Sequence, residues 1–177
     1  MNALDVGLLV AVAVLAAALT GSLLRRRPPK RLPVRPGARR ILVPFSGALD
    51  PTVLQAAIRI ARAEDAVLVP AYLLIVPLRY AEDSPLSDQV KIAMPLLEAV
   101  EHAALRAGVP VDARIEKGRT LTHALKRLWQ VESFDRIVAP APVNGHEGFT
   151  EKELAWLLTR SPAETVVLKP SPVASAA

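Results

Sequence analysis

Short apolar runs alternate with amphipathic stretches over residues 41–177. The apolar runs cover residues 41–45, 66–76, 111–116, 136–139 and 165–168, and they are rich in β-branched side chains. Because most of these runs are continuously apolar rather than alternating, the pattern predicts five strands that are buried on both faces.

The amphipathic stretches predict four helices, the first two of which have proline near their start. Asp50 is a suitable N-cap, and Pro51 follows it at the first helical position. Pro95 similarly predicts the start of a second helix over residues 96–107, which Gly108 ends.

Hydroxyl side chains mark the start of the other two helices. Thr120 is placed to cap the third helix, and Thr150 with Glu153 three residues later forms a capping box for the fourth. The apolar spacing of the fourth helix predicts an inward face made of Leu154, Leu157 and Leu158.

The order βαβαβαβαβ predicts an α/β fold, an open five-stranded parallel sheet with helices on both faces. With the strand order 3-2-1-4-5, the winding reverses between the first and fourth strands. Ligands of such sheets bind at the carboxyl ends of the strands where this reversal occurs. The sequence therefore predicts a crevice between residues 45–48 and residues 140–148.

An uncharged, apolar run occupies residues 6–24. As a helix it reaches about 28 Å, enough to cross the hydrocarbon core of a bilayer. A cleaved signal peptide would carry a positive region before the run, whereas here the arginines follow it. A buried soluble helix is the other alternative. We interpret residues 1–24 as a transmembrane anchor that binds the membrane through residues 6–24.

The net charge of +5 is concentrated in one segment. Residues 25–40 contain eight basic and no acidic side chains, together with several prolines, whereas residues 41–177 contain 14 basic and 16 acidic ones. The segment is therefore read as a basic, Pro-rich linker, and no nucleic-acid partner is expected for the folded domain. The positive-inside rule predicts a single-pass protein of the cell membrane, with its N-terminus outside and its domain, residues 41–177, in the cytoplasm.

Catalytic and metal-binding signals are weak in this chain. It has no cysteine, which excludes disulfides and thiolate chemistry. Its three histidines, His102, His123 and His146, are isolated, so no metal site is predicted. No catalytic residue is predicted either, because no nucleophile elbow and no P-loop lysine is present. We expect a protein that is not an enzyme.

Five segments of residues 40–170 resemble the universal stress protein family. They are RRILVPFSG, VLVPAYLLIVP, EKGRTLTHAL, FDRIVAPAP and SPAETVVLKP. The resemblance implies the same α/β fold and a role in stress response. It also implies a homodimer that pairs through the closing strand, from Thr165 to Lys169, whose apolar edge is a template for strand pairing.

Nucleotide-binding members of that family carry an Asp after the first strand and the pattern G-x2-G-x9-G-[S/T] after the fourth. In this chain Gly145 and Gly148 have the required spacing and Thr159 falls at the hydroxyl position, but Ser46 replaces the Asp and Leu158 replaces the third glycine. The candidate cofactor-binding residues are Ser46, Asn144, Gly145, Gly148 and Thr159. Asn144-Gly145 alternatively reads as a plain turn.

The departures from the pattern weaken a phosphate site. A leucine crowds the approach of phosphate to the backbone, Pro140 and Pro142 lack N–H donors, and Glu147 adds negative charge. We therefore expect no cofactor and interpret the chain as a membrane-tethered, non-catalytic regulatory or interaction module with a degenerate nucleotide pocket. The alternative is a membrane-tethered sensor that binds an adenine nucleotide such as ATP.

Several larger side chains receive structural interpretations. Trp129 and Trp156 lie on or beside apolar helix faces, which favours core or interface packing. Arg106, Lys126 and Arg127 fall on outward helical positions and are interpreted as solvated.

Overall fold

A computed structural model describes residues 32–34, 36–82, 84–142 and 149–169. The elements are β1 (Arg40–Phe45), α1 (Pro51–Ala63), β2 (Val67–Ile75), α2 (Ser87–Arg106), β3 (Arg114–Gly118), α3 (Leu121–Val131), β4 (Arg136–Pro140), α4 (Glu151–Arg160) and β5 (Glu164–Leu168). The predicted anchor and half of the predicted linker, residues 25–31 and 35, lie outside the described residues. Among the helices of the described part, none is long and apolar enough to cross a membrane.

The five strands form one parallel sheet in the order β3-β2-β1-β4-β5. In its centre, Ile41 of β1 lies opposite Leu68 of β2 and Arg136 of β4. The central strands are almost fully buried, whereas the edge strands β3 and β5 are mostly half-buried. The predicted fold class and strand order are confirmed.

Helices cover both faces of the sheet. Leu42 packs into a core cluster with residues of α3 and α4, whereas its neighbours Ile41 and Val43 pack into a second cluster with residues of α1 and α2. This division follows from the strand geometry, because successive side chains of a strand point to opposite faces.

Three predicted helix starts are confirmed by their hydrogen bonds. The Asp50 carboxylate accepts from the Thr52 and Val53 backbone N–H groups at 2.7 and 3.2 Å, at the start of α1. The Thr120 hydroxyl accepts from the His123 N–H at 3.1 Å, at the start of α3. The capping box predicted for α4 is also present.

The predicted start of the second helix is wrong. Helix α2 begins at Ser87, and Pro95 lies inside it on the exposed surface. An interior proline removes one backbone hydrogen bond, which is tolerable where the freed carbonyl faces water. The buried stripe runs past Pro95 at helical spacing, through Ala93, Leu97, Val100 and Ala104.

The third strand lies a few residues later than predicted, at Arg114–Gly118 instead of 111–116. Val111 forms only an isolated bridge with Leu68, and Asp112 then binds the side chains of Arg40 and Arg114. The strand therefore starts after the residues that serve this ion-pair cluster.

Candidate functional site

The switch-point crevice lies where the chain leaves β1 and β4 at the carboxyl edge of the sheet. Ser46 follows β1 and is half-buried, and Gly47 adopts a left-handed conformation with φ of 77°. Pro140, Ala141 and Pro142 lie at the end of β4. Residues 45–48 thus lie at the end of β1 and residues 140–142 at the end of β4, as predicted, whereas residues 143–148 lie outside the described part.

The backbone that follows β4 offers no free donor at its first three positions. Pro140 and Pro142 have no N–H group. The N–H of Ala141 donates to the Leu168 carbonyl at 2.7 Å, which extends the β4–β5 ladder. An anion in the crevice therefore receives no backbone hydrogen bond from residues 140–142.

The N-terminus of α4, which follows the same loop, is occupied by its own side chains. The Glu153 N–H donates to the Thr150 hydroxyl at 3.3 Å, and the Thr150 N–H donates to the Glu153 carboxylate at 2.9 Å. Glu151 adds a second acidic side chain to the first turn. Free N–H groups at a helix N-terminus attract phosphate, so this capping box and these two negative charges oppose phosphate binding.

On the β1 side of the crevice, the N–H groups at the helix start are likewise bonded to a side chain. Asp50 caps α1, which begins five residues after Ser46, the first residue beyond β1. Its carboxylate accepts the first free N–H groups of that helix. Ser46 itself brings a hydroxyl in place of the carboxylate that the resemblance requires.

Of the five predicted site residues, the structure describes only Ser46 and Thr159, and these two lie apart. Thr159 lies in the last turn of α4, where its hydroxyl donates to the Ala155 and Trp156 carbonyls at 2.9 and 3.1 Å. Because α4 runs from the carboxyl edge back to the start of β5, Thr159 lies toward the opposite edge of the sheet from Ser46. Asn144, Gly145 and Gly148 lie outside the described residues.

The position of Leu158 is also corrected. It was predicted to face inward and to crowd phosphate, but it is 54% exposed near the end of α4. The helix already begins at Glu151, so the nine-residue spacing after Gly148 runs along the helix rather than through a loop. The hydroxyl at the helix start is Thr150.

One cation at the carboxyl edge was missed by the sequence reasoning. Arg119, directly after β3, is half-buried and donates to the Pro77 and Val76 carbonyls at 2.8 and 3.3 Å. It makes no ion pair with any residue of the described part. The sequence signal was its position immediately after a strand-ending glycine, Gly118.

Arg127 is exposed, as predicted, but its side chain also forms ion pairs. Its guanidinium lies 3.2 Å from Glu82 and 3.1 Å from Glu116, and it thereby joins the loop after β2 to β3. His123 Nδ1 accepts from the Arg119 N–H at 3.3 Å and lies 3.4 Å from Glu82. A shallow cavity of about 480 Å³ lies beside this ion-pair cluster. Within the described ranges, no group of three acidic or histidine side chains is placed to hold a metal ion.

No protein-family model matches this chain, and no curated protein sequence matches it. Solved structures do match. A universal stress protein family member from Burkholderia pseudomallei is 18% identical with a TM-score of 0.56, over 74% of this chain and 96% of that one. The universal stress protein of Archaeoglobus fulgidus in complex with dAMP is 11% identical with a TM-score of 0.54, over 73% and 96%.

A third similar structure is a universal stress protein family member of Arabidopsis thaliana with AMP bound. It is 14% identical with a TM-score of 0.54, over 75% of this chain and 92% of that one. The likeness covers nearly the whole length of each of these proteins, so the described domain has the universal stress protein fold. At these identities the likeness establishes the fold, and the chemistry of the site depends on the residues described above.

Proposed function

We propose that this protein is a membrane-tethered regulatory or interaction module of stress response, built on the universal stress protein fold and lacking catalytic activity. The observation that carries the proposal is the N-terminus of α4, where the Thr150–Glu153 capping box takes up two of the free N–H donors and the glutamates of the first turn add negative charge that opposes a phosphate. The prolines after β4 and the missing carboxylate at Ser46 support the same reading. The nucleotide pocket is degenerate, and the domain acts through contacts with other proteins.

The nucleotide part of the proposal is tested by calorimetric titration of the full chain with Mg-ATP and with AMP. We expect no saturable binding in the micromolar range. Micromolar binding of either nucleotide would overturn the degenerate pocket.

The second candidate function is a membrane-tethered adenine-nucleotide sensor. Structures of the same fold hold dAMP and AMP, and Arg119 supplies a cation at the carboxyl edge of this sheet. If calorimetry detects micromolar affinity, Arg119→Gln tests the sensor, because loss of a cation at the carboxyl edge should weaken the binding of an anionic nucleotide, by about tenfold if the guanidinium contacts the phosphate. A matched change on the far side, Arg106→Gln, should leave the affinity unchanged.

The tether is proposed from the sequence, from the uncharged run at 6–24 and the arginines that follow it. The chain lacks cysteine, so a single cysteine introduced at Asn2 or at Ala177 is the only site for an impermeant thiol reagent on intact cells. We expect labelling at Asn2 and none at Ala177. The reverse pattern would contradict the proposed orientation, and release of the chain by alkaline carbonate would contradict the membrane span.

The proposed homodimer pairs two copies through the segment from Thr165 to Lys169. Strand β5 is at the edge of the sheet. The Leu168 carbonyl accepts from Ala141 of the neighbouring β4 segment, so the polar groups of Val167 face the free edge. Those groups are available to a second copy of the strand.

This geometry yields a clean test of the dimer. Val167→Pro removes an outward donor without breaking the β4–β5 ladder. Light scattering of the full chain should then show a monomer where the unmodified chain is a dimer. Ile115→Pro makes the matched change on the other free edge, because Gly118 of the same strand bonds inward to Val76. It should leave the dimer intact.

A further inference from the structure

Both tryptophans of the chain lie together between α3 and α4. The rings of Trp129 and Trp156 are stacked, with centroids 5.4 Å apart and planes 3° from parallel. Both are half-buried and pack against the core cluster on this face of the sheet. The core or interface packing that the sequence predicted for these two residues therefore accounts for the side of the indole pair that faces the core cluster.

The other side of the pair opens on a cavity of about 470 Å³ that is lined by Lys126, Trp129, Trp156 and Arg160. The Lys126 ammonium lies 5.6 Å from the centre of the Trp156 ring, so Lys126 is part of this site as well as solvated. We call these four residues the tryptophan site. The pocket has the volume of a ligand cavity, and only indoles and cations line it.

The positive charge of the tryptophan site is uncompensated. Neither Lys126 nor Arg160 makes an ion pair with a residue that the structure describes, whereas the arginines at strand starts are paired with carboxylates. This occurs in a domain, residues 41–177, whose acidic side chains outnumber its basic ones by 16 to 14. Two free cations beside two indoles complement an anionic, partly apolar partner.

Helix packing alone is a poor explanation for Trp129. Its indole Nε1 is buried and has no hydrogen-bond partner within the described residues. Such an unpaired buried donor costs about 1–3 kcal/mol, which a phenylalanine filling the same space would avoid. An indole also presents a broader surface to the pocket than a phenyl ring does, and contacts of that surface with a ligand would offset this cost.

We propose that the tryptophan site binds an acidic segment of a partner protein. An apolar side chain of that segment enters the pocket against the indoles, and flanking carboxylates pair with Lys126 and Arg160. Tryptophan and arginine are the side chains most enriched at the energetic centres of protein interfaces. The inference rests on the proposed interaction role and names the chemistry of the partner.

A protein segment fits the tryptophan site better than a lipid surface does. Tryptophans that contact a bilayer project from the protein into the headgroup region. Here the two indoles lie flat against each other and half-buried, and the site is concave. A concave pocket accepts a protruding side chain.

Peptides selected from a random library on the purified full chain provide the test. Each selected peptide that lacks tryptophan is titrated into the full chain while intrinsic tryptophan fluorescence is recorded. Because the chain has only these two tryptophans, the emission reports on this site alone. We expect selected sequences that combine acidic with apolar residues and that shift the emission saturably.

The matched variants have equal changes of net charge. Lys126→Gln with Arg160→Gln should weaken peptide binding about tenfold or more. Arg59→Gln with Arg106→Gln, exposed positions on α1 and α2 that cover the other face of the sheet, should leave it unchanged.

Three results would overturn the inference: selected peptides without acidic residues, equal weakening in both double variants, or an emission shift produced by anionic phosphatidylserine vesicles but by no peptide. If the peptide-binding inference fails, the expected result of the nucleotide titration does not change. Micromolar ATP binding would in turn reject the degenerate pocket without bearing on the tryptophan site, so the two failures are distinguishable.

Discussion

The two edges of the sheet satisfy their polar groups by opposite means. At the amino edge, arginines that begin strands pair with carboxylates brought from elsewhere in the chain. Arg40 lies 2.9 Å from Asp112 and 2.5 Å from Glu132, and Arg114 lies 2.9 Å from the same Glu132. At the carboxyl edge, the N-termini of α1, α3 and α4 are capped by side chains within one turn, and Pro140 and Pro142 at the end of β4 have no N–H group.

The charge pairing at the amino edge is strong enough to affect ionisation. Burial disfavours the charged form of Arg114, but the hydrogen bond to Glu132 and the negative charge of Asp112 outweigh it and raise its pKa above the usual value. Hydrogen bonds to Glu164 raise the pKa of Arg136 in the same direction, against the opposing effect of burial. An arginine is charged at any pH at which the protein is folded, so these shifts reflect the favourable ion pairs of the amino edge.

The comparison shows which polar groups the chain itself already uses. Only the carboxyl edge is the place where an α/β sheet normally receives a ligand. The helix caps there stabilise the domain and at the same time occupy part of the N–H groups that a phosphate could use. Arg119 is a cation at this carboxyl edge that has no ion pair within the described residues, and Lys126 and Arg160 lie on the helical face of the tryptophan site.

The largest expected effect is at the amino edge. Arg40→Ala leaves Asp112 and Glu132 with only Arg114 as a partner. We expect the free energy of unfolding to fall by about 2–4 kcal/mol, as when one partner of a largely buried ion pair is removed. Urea unfolding followed by circular dichroism measures it.

The neighbouring Arg39 provides the control for this prediction. Its side chain is 61% exposed, compared with 23% for Arg40, and it pairs with Glu64 at 3.3 Å. Arg39→Ala should therefore cost no more than about 0.5 kcal/mol. Equal losses in the two variants would show that the amino edge is not held by its buried pairs.

A second effect concerns the close approach of β3 and α3 at the carboxyl edge. A Cβ added at Gly118 would lie 2.5 Å from the backbone nitrogen of Ala124, so Gly118→Ala forces the helix away from the strand. We expect a loss of about 1–3 kcal/mol in urea unfolding. Gly108→Ala, with φ of 76° but no atom within 4 Å, isolates the conformational cost of about 1 kcal/mol. A larger loss at Gly108 than at Gly118 would contradict the tight contact.

A third, smaller effect concerns the affinity of the carboxyl edge for a nucleotide. Glu151→Gln with Glu153→Gln removes two negative charges from the first turn of α4, while glutamine preserves the capping box. We expect the affinity for Mg-ATP to rise about three- to tenfold in calorimetric titration. Glu98→Gln with Glu101→Gln on α2 makes the same charge change away from the crevice, and an equal gain there would indicate a general charge effect.

The smallest effect tests the corrected position of Leu158. Leu158→Gly should reduce the free energy of unfolding by about 1 kcal/mol and leave nucleotide affinity unchanged. Ala155→Gly, exposed on the same helix, should behave alike. A gain of nucleotide affinity in Leu158→Gly but not in Ala155→Gly would show that Leu158 does crowd the nucleotide pocket.

Much of the fold was determined by the sequence alone, because the features concerned depend on neighbouring residues. Continuous apolar runs are needed only where both faces of a strand are covered, and they identified the sheet. Caps at Asp50, Thr120 and Thr150 act within one turn, so they could be read from the chain. The strand order followed from the family resemblance and the alternation of elements.

Tertiary structure decided what depends on residues far apart in the chain. The hydrogen bond between Arg40 and Glu132 joins positions 92 residues apart, and no local pattern selects that partner. Helix α2 begins before Pro95 because its buried residues continue on both sides of the proline, whereas the sequence reasoning placed the helix start at the proline. Thr159 was aligned with a phosphate site by counting residues, but the helix that begins at Glu151 carries it toward the other edge of the sheet. Stacking of Trp129 on Trp156 likewise required the packing of α3 beside α4, since side chains on separate helices meet only when the core brings those helices together.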